Sequence, residues 1–155
     1  MLNRLQGVFA SFQKHNVKYV VIGGIAAILH GVPRATFDLD ILIEATLENS
    51  QRLLDALLDA GLGTAVLTTV EDLISHEITI FRDKIRIDVQ TETPGIRFEE
   101  AWEKRETMNY EGQPFFVVTR EDLIASKLAA GRSVDLEDVR MLRISQDDEP
   151  DSLNE

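Results

Sequence analysis

The sequence contains no cysteine, which excludes disulfides, thiolate zinc sites, iron–sulfur clusters and cysteine nucleophiles. Histidine is scarce: only His15, His30 and His76 occur, too few for a site built mainly of imidazoles. A metal in this chain would therefore be held by oxygen, which favours magnesium, manganese or calcium. No apolar run approaches the ~20 residues that span a bilayer. Met1 to His15 carries Arg4 and Lys14 without a continuous apolar stretch, so it does not read as a signal peptide, and the expected address is the cytoplasm.

Positive charge is also in deficit. Sixteen Lys and Arg face 27 Asp and Glu, a net charge of −11. Residues 146–155 hold five acids and no base, and without them the balance is −6. That stretch reads as a solvated, disordered tail. The body is not expected to be a generic nucleic-acid binder, which needs a basic surface, although a local basic patch is compatible with this balance. The chain has 155 residues, 44% of them apolar, with no internal repeat and no linker. One domain over 1–145 with a core that needs no staples is expected.

Residues 2–15 space Leu2, Leu5, Val8, Phe9 and Phe12 at helical intervals. Residues 18–22 and 38–44 read as buried strands. A short helix is expected over 25–30 and an amphipathic one over 48–60, closed by Gly61. Residues 77–81 and 84–90 read as a hairpin turning at Arg82-Asp83. A helical turn is expected over 98–104, with Phe98 and Trp102 anchoring core or pocket wall. Residues 108–110 and 115–118 form a second hairpin signal around Glu111-Gly112. Thr119 suits an N-cap for a helix to Ala130, ended by Gly131, and a last helix is expected over 135–142. The elements make a mixed α/β or α+β domain.

Three acids stand out. In Asp38-Leu39-Asp40 the two-residue period of a strand puts both carboxylates on one face. Asp88 shares a face with Arg86 and Gln90, opposite Ile85, Ile87 and Val89. If the two strands are neighbours, three carboxylates converge. Like charges so close repel, and divalent cations relieve that cost while organising phosphoryl or nucleotidyl transfer. Solvated acids at a strand start are the structural alternative.

Gly23-Gly24 sits between a strand and a helix, where glycines let a phosphate approach the backbone or simply make a tight turn. Arg34 and Thr36 precede the acid pair, and Arg34 suits those carboxylates or a phosphate. Lys127 lies beside the apolar face of its helix, reaching a buried acceptor or snorkelling. Asp135 as N-cap with Asp138 three residues later explains those two acids structurally, with Arg132 as an ion-pair partner. His30 and His76 read as surface or satisfied histidines.

A strand, Gly23-Gly24, a helix, then Arg34-Ala35-Thr36-Phe37-Asp38-Leu39-Asp40-Ile41 and a lone Asp88 on a later strand resemble the nucleotidyltransferase superfamily with the DNA polymerase β-like palm. Thirteen residues separate Gly24 from Asp38. Asp122 to Arg132, continuing to Asp135 and Asp138, resembles the branch of abortive-infection toxin nucleotidyltransferases and their small relatives. The resemblance covers about residues 17–143.

It implies a palm-like mixed sheet flanked by helices, with helices closing the chain. It implies that Asp38, Asp40 and Asp88 hold two magnesium ions, or manganese, and that Asp88 helps deprotonate the acceptor. Gly23 and Gly24 would hold the triphosphate, with Arg34, Thr36 and Lys127 near the nucleotide. Arg132, Asp135 and Asp138 match a motif that is partly structural. The reaction implied is transfer of a nucleoside monophosphate from an NTP, such as ATP, to RNA, a protein hydroxyl or a small molecule. The chain is shorter than the toxin enzymes, which implies an antitoxin-like partner or self-association. A nucleotide- or partner-binding module without turnover is the alternative.

Overall fold

The computed structural model describes residues 1–148, with side chains to Ser145. Residues 149–155, and with them most of the expected acidic tail, lie outside the described residues. The chain runs α1 (Leu2–Lys14), β1 (Tyr19–Ile22), α2 (Gly23–Leu29), β2 (Leu39–Ile43), α3 (Leu47–Asp59), a 3₁₀ turn (Gly63–Leu67), α4 (Val70–Ser75), β3 (Ile78–Arg82), β4 (Arg86–Gln90), α5 (Phe98–Lys104), β5 (Glu106–Tyr110), β6 (Gln113–Val117), α6 (Arg120–Ala130) and α7 (Ser133–Asp148). The six strands form one mixed sheet in the order β3-β4-β2-β1-β6-β5, the α+β class expected.

β1 and β2 are antiparallel, whereas β2–β4 and β1–β6 are parallel. β1 and β2 read as near-continuous apolar runs because both faces are covered. Every residue of β1 is buried, and so are Leu39, Ile41, Leu42 and Ile43 of β2. α1 packs on α3 and β6, α2 on β1, β2 and α6, and α6 on α7.

α1 docks through aromatic rings: Phe9 stacks on Phe115 at 4.5 Å and Phe12 meets Tyr19 at 4.8 Å. Phe9 is 1% exposed. Phe9→Ala is expected to cost about 3–5 kcal/mol, read as a lower urea midpoint with an unchanged slope. Among the described residues, no helix is long and apolar enough to cross a membrane.

Most differences from the expected elements are at boundaries. α2 begins at Gly23 rather than Ile25, so no loop separates it from β1. The 3₁₀ turn and α4 lie in a stretch for which no element was expected, although Val66, Val70, Leu73 and Ile74 fall at helical intervals. α7 starts at Ser133 and continues to Asp148, so Asp135 is not its N-cap. Asp135 sits in the first turn and reaches back to accept from the backbone N–H of Arg132 at 3.2 Å. It thus plays the returning half of a capping box. Asp138, one turn further on, is no cap either: it is 2% exposed and bonded to Lys127.

Candidate active site

The parallel pairing of β2 with β4 sets Asp40 directly beside Asp88, so their side chains share one sheet face. Asp38 lies one residue before β2, its side chain about half exposed. Burial, first, and then the charges of Asp88 and Asp38 push the Asp40 carboxyl up to about 7, against the opposing pull of Arg86 and Lys127. Asp40 and Asp88 thus meet because β2 and β4 are neighbours, the condition that the sequence left open, with Asp38 beside them.

Arg86 answers this crowding from the same face. Its Nε and Nη2 donate to Asp88 at 2.9 and 3.2 Å, and Nε stands 3.8 Å from Asp38. Among the described residues, no three Asp, Glu or His side chains are grouped so that they could hold a metal ion as they stand. Positive charge in the cluster comes instead from this guanidinium. The signal for it was present in the sequence, since Arg86 and Asp88 share strand parity.

The turn into α2 lies against the acids. Gly23 has φ +69°, and a β-carbon there would stand 2.6 Å from Asp40 Oδ2. At Gly24 it would stand 2.7 Å from Arg34 Nη2 and 3.2 Å from Thr36 Cγ2. Gly23→Ala thus combines a left-handed backbone with a clash on a half-buried carboxylate. It is expected to cost about 1–3 kcal/mol, read as a lower melting temperature, and to displace Asp40. Gly24→Ala meets mainly the far end of a flexible arginine and should cost less.

α6 and α7 supply the opposite wall. Lys127, 6% exposed, donates to Asp138 at 2.8 Å and stands 3.8 Å from Asp135. Arg34 reaches Asp138 at 3.4 Å. Arg132 grips Asp135 through Nε at 2.7 Å and Nη2 at 3.1 Å. Burial would raise the Asp135 carboxyl, but the hydrogen bonds and charge of Arg132, with Lys127, hold it below the usual range. Arg34 was expected on the acid pair it precedes or on a phosphate; the carboxylate it reaches is instead Asp138 of α7. Lys127 is the buried-acceptor case, not a snorkelling lysine.

Between the walls lies a cleft of about 510 Å³. Its lining includes Gly23, Gly24, Arg34, Thr36, Asp38, Asp40, Asp88 and Lys127, and also Arg132, Asp135 and Asp138. The structure therefore gathers every residue singled out for metal or nucleotide. Ile78, Thr93, Pro94 and Ser126 also line it and carried no sequence signal. Trp102 lies elsewhere, with the Arg105 guanidinium 3.7 Å from its ring centroid. His30 is buried against the Val118 carbonyl, and His76 is exposed and bonded to the Asp72 carbonyl and Ser75. Both are satisfied locally.

The cleft thus sets carboxylates on a parallel strand pair across from Lys127 of α6 and Arg34, with Gly23 and Gly24 between them. Residues 3–155 match the family described as "Nucleotidyltransferase of unknown function (DUF6036)". The chain belongs to this family. No curated protein matches it. As a member of DUF6036, the chain has its acid cluster, glycine pair and buried lysine in one cleft, although the family description names no substrate.

Proposed function

We propose that the chain is a metal-dependent nucleotidyltransferase that moves a nucleoside monophosphate from an NTP to an acceptor hydroxyl. The observation that carries this reading is the register of Asp40 against Asp88, with Asp38 alongside, facing Lys127 across the cleft. The donor set fits magnesium or manganese. It is all oxygen, and a bound divalent cation would offset the burial and, after it, the charges of Asp88 and Asp38 that lift Asp40 to about 7.

Asp38, Asp40 and Asp88 would hold the metal, which when bound neutralises phosphate charge and acts as a Lewis acid. Lys127, Arg34 and Arg132 put positive charge on the opposite wall, where the phosphates would lie. Gly23 and Gly24 leave the backbone bare between them. The acceptor oxygen forms a bond to the α-phosphorus, the α–β phosphoanhydride bond breaks, and pyrophosphate leaves. The hydroxyl proton passes to a carboxylate, and Asp88 is the one assigned to it in this proposal.

The test is release of pyrophosphate, and transfer of label from an α-labelled NTP, with and without magnesium. Wild type should show both, and Asp88→Asn neither at normal folding. Equal turnover in the two would contradict the reading. Tight magnesium-dependent NTP binding without pyrophosphate would favour the alternative, a binding module. The toxin-like role and the protein partner belong to the same proposal. They are tested by co-purification of a partner and by growth arrest that Asp88→Asn relieves.

A further inference from the structure

Trp102 and Arg105 have no place in the cleft of the acid cluster. They line a second cavity of about 300 Å³, together with Phe12, Tyr19, Pro114 and Phe116. This cavity lies at the start of β1, the opposite end of that strand from Gly23, and the two cavities share no lining residue. Its walls come from the end of α1, the end of α5 and β6. Phe12 and Tyr19 meet at 4.8 Å, Tyr19 and Phe116 at 5.6 Å, and Trp102 stands edge-on to Phe116 at 5.3 Å. Phe12 and Tyr19 are buried, whereas Trp102 and Phe116 keep part of their surface open. Small-molecule sites are lined in this way, by aromatic surface with a few placed polar groups.

Two polar groups here have capacity left. Arg105 lays its guanidinium 3.7 Å from the Trp102 ring centroid and 4.8 Å from that of Phe116. Lys14, Lys18, Arg52, Lys104 and Arg140 each meet a carboxylate, but Arg105 meets none among the described residues. Its Nη1 donates to the Trp102 carbonyl at 2.7 Å, and its Nε is buried without a hydrogen-bond partner. Tyr19 is 2% exposed. Its hydroxyl accepts from the Phe116 N–H at 3.3 Å, and no described group accepts its proton. Burial pushes this hydroxyl well above the usual tyrosine range, so it stays a donor at neutral pH. Flat apolar walls beside a guanidinium and a hydroxyl donor suit a flat anion that can accept from both. The charge balance favours a single negative charge. Lys18, which also lines the cavity, is already paired with Glu44, and a net charge of −11 repels polyanions.

We propose that this second cavity binds a small monocarboxylate with a flat apolar body. The body packs on the open aromatic surface. The carboxylate accepts from the Arg105 guanidinium, with the Tyr19 hydroxyl as second donor. The proposal is independent of the nucleotidyltransferase reading, because no residue of the acid-lined cleft takes part.

Trp102 is the only tryptophan, so its indole N–H gives a single local NMR resonance. The test titrates the full chain with cinnamate, and with cinnamamide and acetate, which lack the charge and the apolar body respectively. Cinnamate should move the resonance saturably, with half-saturation at or below about 5 mM, as a ligand of this size allows. Cinnamamide and acetate should bind about tenfold more weakly or worse. Arg105→Met should reduce cinnamate to the level of cinnamamide, and Tyr19→Phe should weaken cinnamate about threefold. Unchanged backbone amide resonances away from the cavity show that each variant keeps the fold. Magnesium with ATP should leave the cinnamate titration unchanged.

No saturable shift with cinnamate, equal binding of cinnamate and cinnamamide to wild type, or wild-type selectivity in Arg105→Met overturns the proposal. So does displacement of cinnamate by magnesium and ATP, which would put the carboxylate in the cleft of Asp38, Asp40 and Asp88.

Discussion

Asp40→Asn is expected to make the metal-free protein more stable at pH 8 while silencing transfer. The folded protein raises this carboxyl from 3.8 to about 7, through burial and then through Asp88 and Asp38. Between about pH 4 and 7 the folded state therefore binds more protons than the unfolded state. By linkage, stability falls as pH rises through that window, and the whole penalty is present above it. About three pH units correspond to at most about 4 kcal/mol, and a partly solvated site gives about 2–4.

Asparagine keeps the shape and removes the charge. In EDTA its melting temperature should exceed that of wild type by several degrees at pH 8 and match it near pH 4. Activity should fall by more than about a hundredfold, since even groups that only support a metal ligand are worth 10–100-fold. A variant that melts below wild type at both pH values would contradict this electrostatic account of the cluster.

Lys127→Met should be the most damaging single change in the wall. It removes the closest cation from Asp138, which is 2% exposed and 2.8 Å away. Arg34, at 3.4 Å, compensates only partly. Removing one partner of a buried pair costs about 3–5 kcal/mol, a large share of the 5–15 kcal/mol available to a domain. The melting temperature should fall by about 6–20 °C. Lys127→Met/Asp138→Leu removes both charges and should recover most of that loss. A double variant no more stable than the single one would show that the lysine matters for packing instead. Transfer should stay low in both, because the wall then lacks its central cation.

The contrast between these two sites explains what was legible in the sequence. Asp38, Asp40 and Asp88 were readable because strand parity is a local rule: alternate residues share a face, and flanking Ile and Leu fix which face is buried. Their convergence needed only the adjacency of β2 and β4, which the structure shows in register at Asp40 and Asp88. The wall was less legible because it depends on a helix–helix contact. Asp135 and Asp138 occur in the sequence as capping residues do, and only the packing of α7 on α6 turns Asp138 toward Lys127.

Arg86 was visible as a neighbour of Asp88 but not as the counter-charge for the whole cluster. That role depends on its reach to Asp38 on another strand. Ile78 and Pro94 line the cleft through sheet order and loop position, and no local pattern encodes either.

The most direct measurement of the central claim is the melting temperature with each of the four NTPs, with and without magnesium, for wild type and Asp40→Asn. A ligand at about 100 times its dissociation constant adds about 2.7 kcal/mol, several degrees for a domain of this size. The account predicts that at least one NTP raises the wild-type value only when magnesium is present, and that Asp40→Asn shows no such rise. A magnesium-independent rise of equal size in both proteins, or no rise with any NTP, would contradict a metal–nucleotide site at Asp38, Asp40 and Asp88.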